Sequence, residues 1–269
     1  MTYFSESVVD LVDLDRYPIT DLSSPAGQEL IGRCRSDLES MGACRLPSFI
    51  DVSAIRTLTA EAAALAPLAF HQDDVHNVYF EDVDESLPED HPNRLLQHSA
   101  SAAVGWDEIP QESRIRQLYE SDDVLAFIGA ALGKDPLYRN ADPIGACTVV
   151  VYKEDDELGW HFDNAEFAVT LMLQKAEGGG EFEYVPNVRS SGDENYSGLQ
   201  RLLQGSGEDV IRFPSEPGTL AFFRGQYSIH RVTPIVGSRL RMNVVFAYAV
   251  EPGKKLTAYT QKLFYGRTA

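Results

Sequence analysis

The chain has 269 residues, 43% of them apolar and 10% aromatic, which is enough to bury a core and excludes a disordered segment. Its net charge of −18 repels phosphate backbones and anionic membrane surfaces, so neither nucleic acid nor a membrane is an expected partner. No run approaches the ~18 apolar residues of a membrane span, and the acidic N-terminus lacks the apolar segment of a signal peptide. Three cysteines, Cys34, Cys44 and Cys147, form no CxxC pair, which fits a reduced, cytoplasmic setting.

In chain order, Ser24-Pro25 reads as a helix start, and GQELIGRCRSDLESM carries apolar residues at helical spacing up to Gly42. ACRLPSFI is a short strand leading into a turn. Asp51 opens a second helix through AIRTLTAEAAALAPL. From Ala69 to Pro110 the pattern breaks down into Asp, Glu, His, Asn and Pro, and a long irregular excursion is expected. Residues 111–133 read as helix again, broken at Ser121-Asp122 and stopped at Gly133. From Ile144 the character changes to short β-rich runs: ACTVVVY, EFAVTLMLQ, EGGGEFEYVP, DVIRFP, TLAFFRG and RLRMNVVFAYAV. Turns rich in Gly and Pro separate them, as in a sandwich or double-sheet barrel. The polar stretch Asn187–Glu208 interrupts these strands and suits a lid. The expectation is one α+β domain over 1–269: a mainly helical part (1–143), a β core (144–250) and a C-terminal tail (251–269).

The chemistry concentrates in Trp160-His161-Phe162-Asp163. Alternation along an extended segment points His161 and Asp163 to one side. A second histidine, His230, precedes a later strand. Two imidazoles and one carboxylate on one face of an octahedron leave three positions open, the ligand set of non-haem iron(II) oxygenases. An HxD alone is common by chance. It is sharpened by His230-Arg231-Val232-Thr233-Pro234 and the following Gly237-Ser238-Arg239. Bidentate 2-oxoglutarate and O2 would fill the three open positions, and the distal carboxylate of 2-oxoglutarate needs a cation, for which the guanidinium fork is suited. Arg239 and Arg241 both qualify, two apart on one strand; the G-x-R spacing favours Arg239.

These motifs, H-x-D, P-G-T-L-x-x-F, H-R-V-T-P and G-x-R, resemble the iron/2-oxoglutarate dioxygenase superfamily. The resemblance implies a double-stranded β-helix (jelly-roll, cupin-like) core with the N-terminal helices packed on it, and Fe(II), 2-oxoglutarate and O2 as cofactors. WHFDNAEFAVTLMLQ, GGEFEYVP, FRGxxSxHRVTP and an early LDRYPI look more specifically like the BesD-like radical halogenases and hydroxylases of free amino acids. The halogenases of that group carry glycine where this chain keeps Asp163, so the resemblance implies oxidation, most simply hydroxylation, rather than halogenation.

It also implies a small-molecule substrate, a free amino acid. Arg94 and Arg224 are candidates for its carboxylate, and Asp142 and Asn243 for its ammonium, each weighed against an ordinary surface pairing. Glu166 and Asp193 could receive a basic side chain, and Tyr152 could reach the cofactor. Two rivals are a peptide or protein oxygenase, which needs an open groove, and a cupin-like metal-binding protein, which needs no arginine beyond the distal histidine.

Overall fold

The computed structural model describes residues 10–206 and 209–269; Gly207 and Glu208, the latter ending the stretch read as a lid, lie outside them, as do the first nine residues. The helices are α1 (Pro25–Met41), α2 (Val52–Leu65), α3 (Arg114–Glu120), α4 (Asp122–Leu132), α5 (Tyr196–Leu203) and α6 (Ala258–Tyr265). The strands in the first half are β1 (Ala43–Leu46), β2 (Phe70–His76), β3 (Gln97–Val104) and β4 (Tyr138–Arg139). Those of the core are β5 (Cys147–Tyr152), β6 (Glu157–His161), β7 (Ala168–Gln174), β8 (Gly178–Gly179), β9 (Phe182–Val185), β10 (Ile211–Arg212) and β11 (Leu220–Phe223). They continue with β12 (Ile229–Val232), β13 (Ile235–Val236), β14 (Arg241–Phe246) and β15 (Tyr248–Ala249).

The predicted helix boundaries follow from capping chemistry. Ser24 accepts from Gly27 N at 3.1 Å, with Pro25 in the first turn, and Gly42 ends α1 at φ 65. Asp51 accepts from Ser53 N at 2.7 Å to start α2. The break at residue 121 is real: Ser121 leaves α3 extended and caps α4 by accepting from Val124 N. Gly133, left-handed at φ 67, stops α4.

Eleven strands form one sheet in the order β1-β11-β7-β14-β5-β3-β6-β12-β9-β10, with β2 hydrogen-bonded to β3. Every pairing is antiparallel. Strand β3 pairs with β5 at its C-terminal end and with β6 nearer its N-terminus. The sheet turns there, so its two halves curl toward each other as the expected jelly-roll core. The main apolar cluster fills the space between the helices and the β1-β11-β7-β14-β5 half; Leu58, Phe127, Phe222, Leu171 and Val244 are among its fully buried members.

The irregular excursion expected over 69–110 is corrected. It contains β2 and β3, paired in register from Phe70↔Ala103 to His76↔Gln97. Strand β2, FHQDDVH, is an exposed edge strand, and β3 is built largely of Ser and Ala. Neither shows the apolar alternation by which a strand is read. Charged residues on an edge strand also discourage further pairing. The first 143 residues thus give three strands to the main sheet as well as four helices. The C-terminal tail likewise carries α6, fastened by Tyr265 to Thr148.

Candidate metal centre

Strands β6 and β12 lie side by side with His161 directly opposite His230, and the register shifts by a bulge just beyond His230. His161 closes β6, and the chain then leaves the sheet: Phe162 N donates to Val78 O and Asp163 N to Gly225 O. Asp163 thereby turns back toward both imidazoles. Its Oδ1 lies 3.7 Å from His161 Nε2 and 3.5 Å from His230 Nε2, with the ring centroids 4.0 Å apart. Two bonds of ~2.1 Å to one ion span up to ~4.2 Å, so a single cation fits among these atoms.

The partners of the ring nitrogens set which way each imidazole presents its lone pair. His161 Nδ1 faces Gly159 O at 2.9 Å and His230 Nδ1 faces Ser228 O at 3.0 Å. A carbonyl only accepts, so each ring holds its proton on Nδ1 and turns a bare Nε2 lone pair inward. Burial, and then the neighbouring His230, push the His161 imidazole down to about 4, so it is neutral near pH 7. Three lone-pair donors therefore converge with no hydrogen between them. Asp163 Oδ2 is buried with no hydrogen-bond partner among the described residues. Such convergence is unfavourable until a cation occupies it. Among the described residues this is the one His/Cys/Asp/Glu group arranged to hold a metal. The other histidines are engaged elsewhere: His71 with Asp156, His98 with Asp73 and Glu157, His91 with Asn93 N.

The surroundings divide into three sides. In front, Phe80 approaches His161 with centroids 5.3 Å apart, held at a left-handed φ of 53 that only surrounding structure can enforce in a phenylalanine. His76 stacks on Phe80 and bonds Ser99 Oγ at 2.6 Å. Ser99 Oγ also accepts from Gly159 N, whose carbonyl orients His161. Behind, Trp160, Phe162 and Ile229, which alternate with the ligands, pack with Leu199 and Leu202 of α5. The segment read as a lid over the mouth therefore backs the ligand strands instead, because its apolar residues match the face opposite the triad. Inside, Phe182 and Phe223 contact His230. Phe182 belongs with Tyr152, Val232 and Ile235 to a small apolar cluster.

Beyond that cluster Arg241 is 5% exposed, its guanidinium 5.1 Å from the Tyr152 ring centroid. It donates to Gly180 O and to Asn243 Oδ1, and makes no ion pair with an acid among the described residues. Burial lowers its pKa from the ordinary value. Arg239 points the other way, donating to Ala176 O beside an open surface cavity of about 500 Å³ that contains none of the triad. The G-x-R spacing thus picked the surface member: alternation gives both arginines one face, but Arg239 lies before β14 begins and only Arg241 is inside the sheet.

The other substrate candidates part company. Asp142 is corrected: it is buried and saturated, accepting from Ile144 N, Gly145 N, Leu256 N and Gln261 Nε2, and it fastens the C-terminal segment. Asn243 is occupied by Arg241. Arg94 donates to Leu87 O within its own loop. Glu166 is paired with Lys134 at 2.8 Å, and Asp193 accepts from Asn195 N. Arg224 has no acid partner among the described residues and sits near the Tyr227 ring. Sequence reasoning missed Phe80 and Ser99, which stand in no motif, and gave no role to Phe182 and Gly225, which stand within GGEFEYVP and FRGxxSxHRVTP.

Residues 26–264 match the family described as HalD, Halogenase D. No curated protein matches the chain. Among solved structures it is similar to an oxidoreductase of the 2OG-Fe(II) oxygenase family from Burkholderia pseudomallei (17% identity, 83% of this chain and 92% of that one, TM-score 0.54). It is also similar to AviO1 from Streptomyces viridochromogenes Tue57 (17%, 84% and 96%, 0.54). A third is the non-heme alpha ketoglutarate dependent epimerase SnoN from nogalamycin biosynthesis (12%, 82% and 83%, 0.57). At these identities the likeness is one of fold.

Proposed function

The chain belongs to the Halogenase D family, and from that premise we propose that it is an iron(II)- and 2-oxoglutarate-dependent oxygenase that hydroxylates an unactivated carbon of a small free amino acid. The observation that carries the reading is the Asp163 carboxylate, whose Oδ1 faces both imidazoles while Oδ2 has no hydrogen-bond partner among the described residues. His161, Asp163 and His230 would hold the metal. Bound iron with 2-oxoglutarate supplies an oxidising equivalent from O2, so that substrate, 2-oxoglutarate and O2 become hydroxylated product, succinate and CO2.

The residues of the chain have the remaining tasks. Buried Arg241, with no acid paired to it among the described residues, receives the distal carboxylate of 2-oxoglutarate through its planar fork. Tyr152, Val232 and Phe182 line the way between the triad and that guanidinium and keep it dry. Phe80 and His76 close the front and orient the substrate against the metal. In support, SnoN has been seen with Fe3+ and alpha ketoglutarate.

Within a family named for halogenation, the retained carboxylate favours oxygen transfer, because Asp163 fills the coordination position a halide would need. The test is product mass with and without chloride, alongside succinate. A gain of one oxygen, or loss of two hydrogens by desaturation or cyclisation, is expected, with no chlorinated product in abundant chloride. A chlorinated product from the unaltered enzyme overturns the reading. Asp163→Gly should lose most activity and give at best a trace of chlorination.

A further inference from the structure

Two of the three metal-site residues are held by strands: His161 closes β6 and His230 lies in β12. Asp163 is not. It follows the end of β6, so loop contacts must place its carboxylate. Those contacts come from Phe162 before it and from Gly225, whose carbonyl accepts from Asp163 N at 3.1 Å. One side chain touches both neighbourhoods, that of Arg189.

The Arg189 guanidinium carbon lies 3.9 Å from the Phe162 ring centroid. Tyr79 runs nearly parallel to the same ring, with centroids 5.9 Å apart and 14° between the planes. Arg189 Nε donates to Gln226 O at 2.7 Å, on the residue that follows Gly225. Glu194 accepts from another nitrogen of the fork at 3.0 Å, and the side chain is 15% exposed. The backbone extends the same seam. Asn187 N donates to Ser228 Oγ at 3.0 Å and Arg189 N to Tyr227 O at 3.3 Å. Ser228 is fully buried, and its carbonyl faces His230 Nδ1. Residues 187–189 are thus fastened to 226–228, and the Arg189 side chain carries that seam across to Phe162. A planar guanidinium can lay its face on a ring and donate along its edges from one position; an ammonium cannot.

We infer that Arg189 is the positioning residue of the carboxylate ligand: by stacking on Phe162 and bonding Gln226, it sets the separation of the two segments between which Asp163 is held. The inference rests on the reading of the triad as a metal centre. Arg189 touches neither the ion nor the cofactor and acts through Asp163. Glu194 holds the fork in its plane without contacting either ligand segment, so its loss should matter less than the loss of Arg189. Groups that orient a metal ligand in this way affect affinity through the ligand they orient.

The experiment titrates the metal-free full chain with Zn2+ against a chromophoric chelator for affinity, and with Co2+ for the visible absorption of the bound ion. Arg189→Met should weaken Zn2+ binding by about tenfold or more, with Arg189→Lys between it and the parent. Glu194→Gln, which spares the stack and the Gln226 bond, should stay within about twofold. In an Asp163→Ala background, Arg189→Met should cost no more than about twofold, because the ligand through which it acts is gone. At saturating Co2+ the absorption of Arg189→Met should differ from the parent's in position or intensity, since a displaced carboxylate alters the ligand field; a mere loss of stability would leave the bound-state spectrum as it was. Should Arg189→Met fail to fold, Arg189→Lys takes its place in each comparison. Unaltered affinity, a parent-like Co2+ spectrum, or an equal loss in both backgrounds overturns the inference while leaving the metal centre standing. A parent chain that takes up neither ion overturns the metal-centre reading, and the role of Arg189 with it.

Discussion

A side chain at residue 225 would collide with the Asp163 carboxylate: a Cβ built on Gly225 falls 1.7 Å from Asp163 Oδ2 and 2.5 Å from its Cγ. The glycine is needed for close approach, and its backbone forms the wall that keeps Oδ1 turned to the imidazoles. Gly225→Ala should displace the carboxylate and weaken metal binding by about tenfold to a hundredfold, the range seen when groups that orient a ligand are lost. Titration of the metal-free protein with Mn2+ or Fe2+ measures it. Unchanged affinity would show that Asp163 has another position from which to bind.

Loss of the buried arginine should separate from loss of the exposed one. Arg241→Ala removes the partner of a buried carboxylate and should cost roughly 2–5 kcal/mol in 2-oxoglutarate binding. Arg239→Ala should leave the 2-oxoglutarate requirement within about twofold, since an exposed pairing contributes little. The measurement is the 2-oxoglutarate concentration dependence of succinate formation. The reverse order of effects would return the role to Arg239.

Ser99 is 2% exposed and its hydroxyl serves both Gly159 N and His76 Nε2. Ser99→Ala leaves a buried amide without an acceptor, which should destabilise the fold by roughly 1–3 kcal/mol. It should also loosen the carbonyl that orients His161. Denaturant unfolding gives the first effect and metal titration the second. A variant as stable as the parent would mean that water replaces the hydroxyl.

The β2–β3 hairpin carries a pH-dependent tie. His98 Nδ1 meets Glu157 at 2.8 Å and Nε2 meets Asp73 at 3.0 Å. Hydrogen bonding to Glu157, then to Asp73, raises the His98 pKa from 6.5. A raised folded value means that the imidazolium's contribution is fully present below pH 6.5 and is lost as pH rises through the folded pKa. Unfolding stability should therefore decline slightly above pH 6.5, and His98→Ala should flatten that decline. The side chain is too exposed for a large effect. A chemical shift titration of His98 giving a pKa at or below 6.5 would contradict the assignment.

The core of the site was legible because its chemistry demands a fixed alternation. His161 and Asp163 must share a side, and Trp160 and Phe162 must then face away, which the structure bears out in the cluster they form with α5. Caps at Ser24, Asp51 and Ser121 were legible for the same local reason. What escaped was set by tertiary packing. Strand β2 is polar along its length and is held by its backbone ladder with β3, so no periodicity announces it. Arg239 and Arg241 look equivalent until the start of β14 places one outside. Asp142 reads as a free acid until four donors from distant segments close on it. Gly225 stands in the FRGxxSxHRVTP run, but only its approach to Asp163 shows why glycine is required there.

The placement of α5 has an engineering consequence. Because Leu199 and Leu202 brace Trp160 and Phe162 from the side away from the ligands, the segment over 187–206 acts as a backplate. Shortening or exchanging it would alter how stiffly the histidines are presented, hence heat tolerance, while leaving untouched Phe80 and His76, which face His161 from the other side. A library aimed at new substrates belongs on those front residues, and one aimed at durability belongs on the backplate.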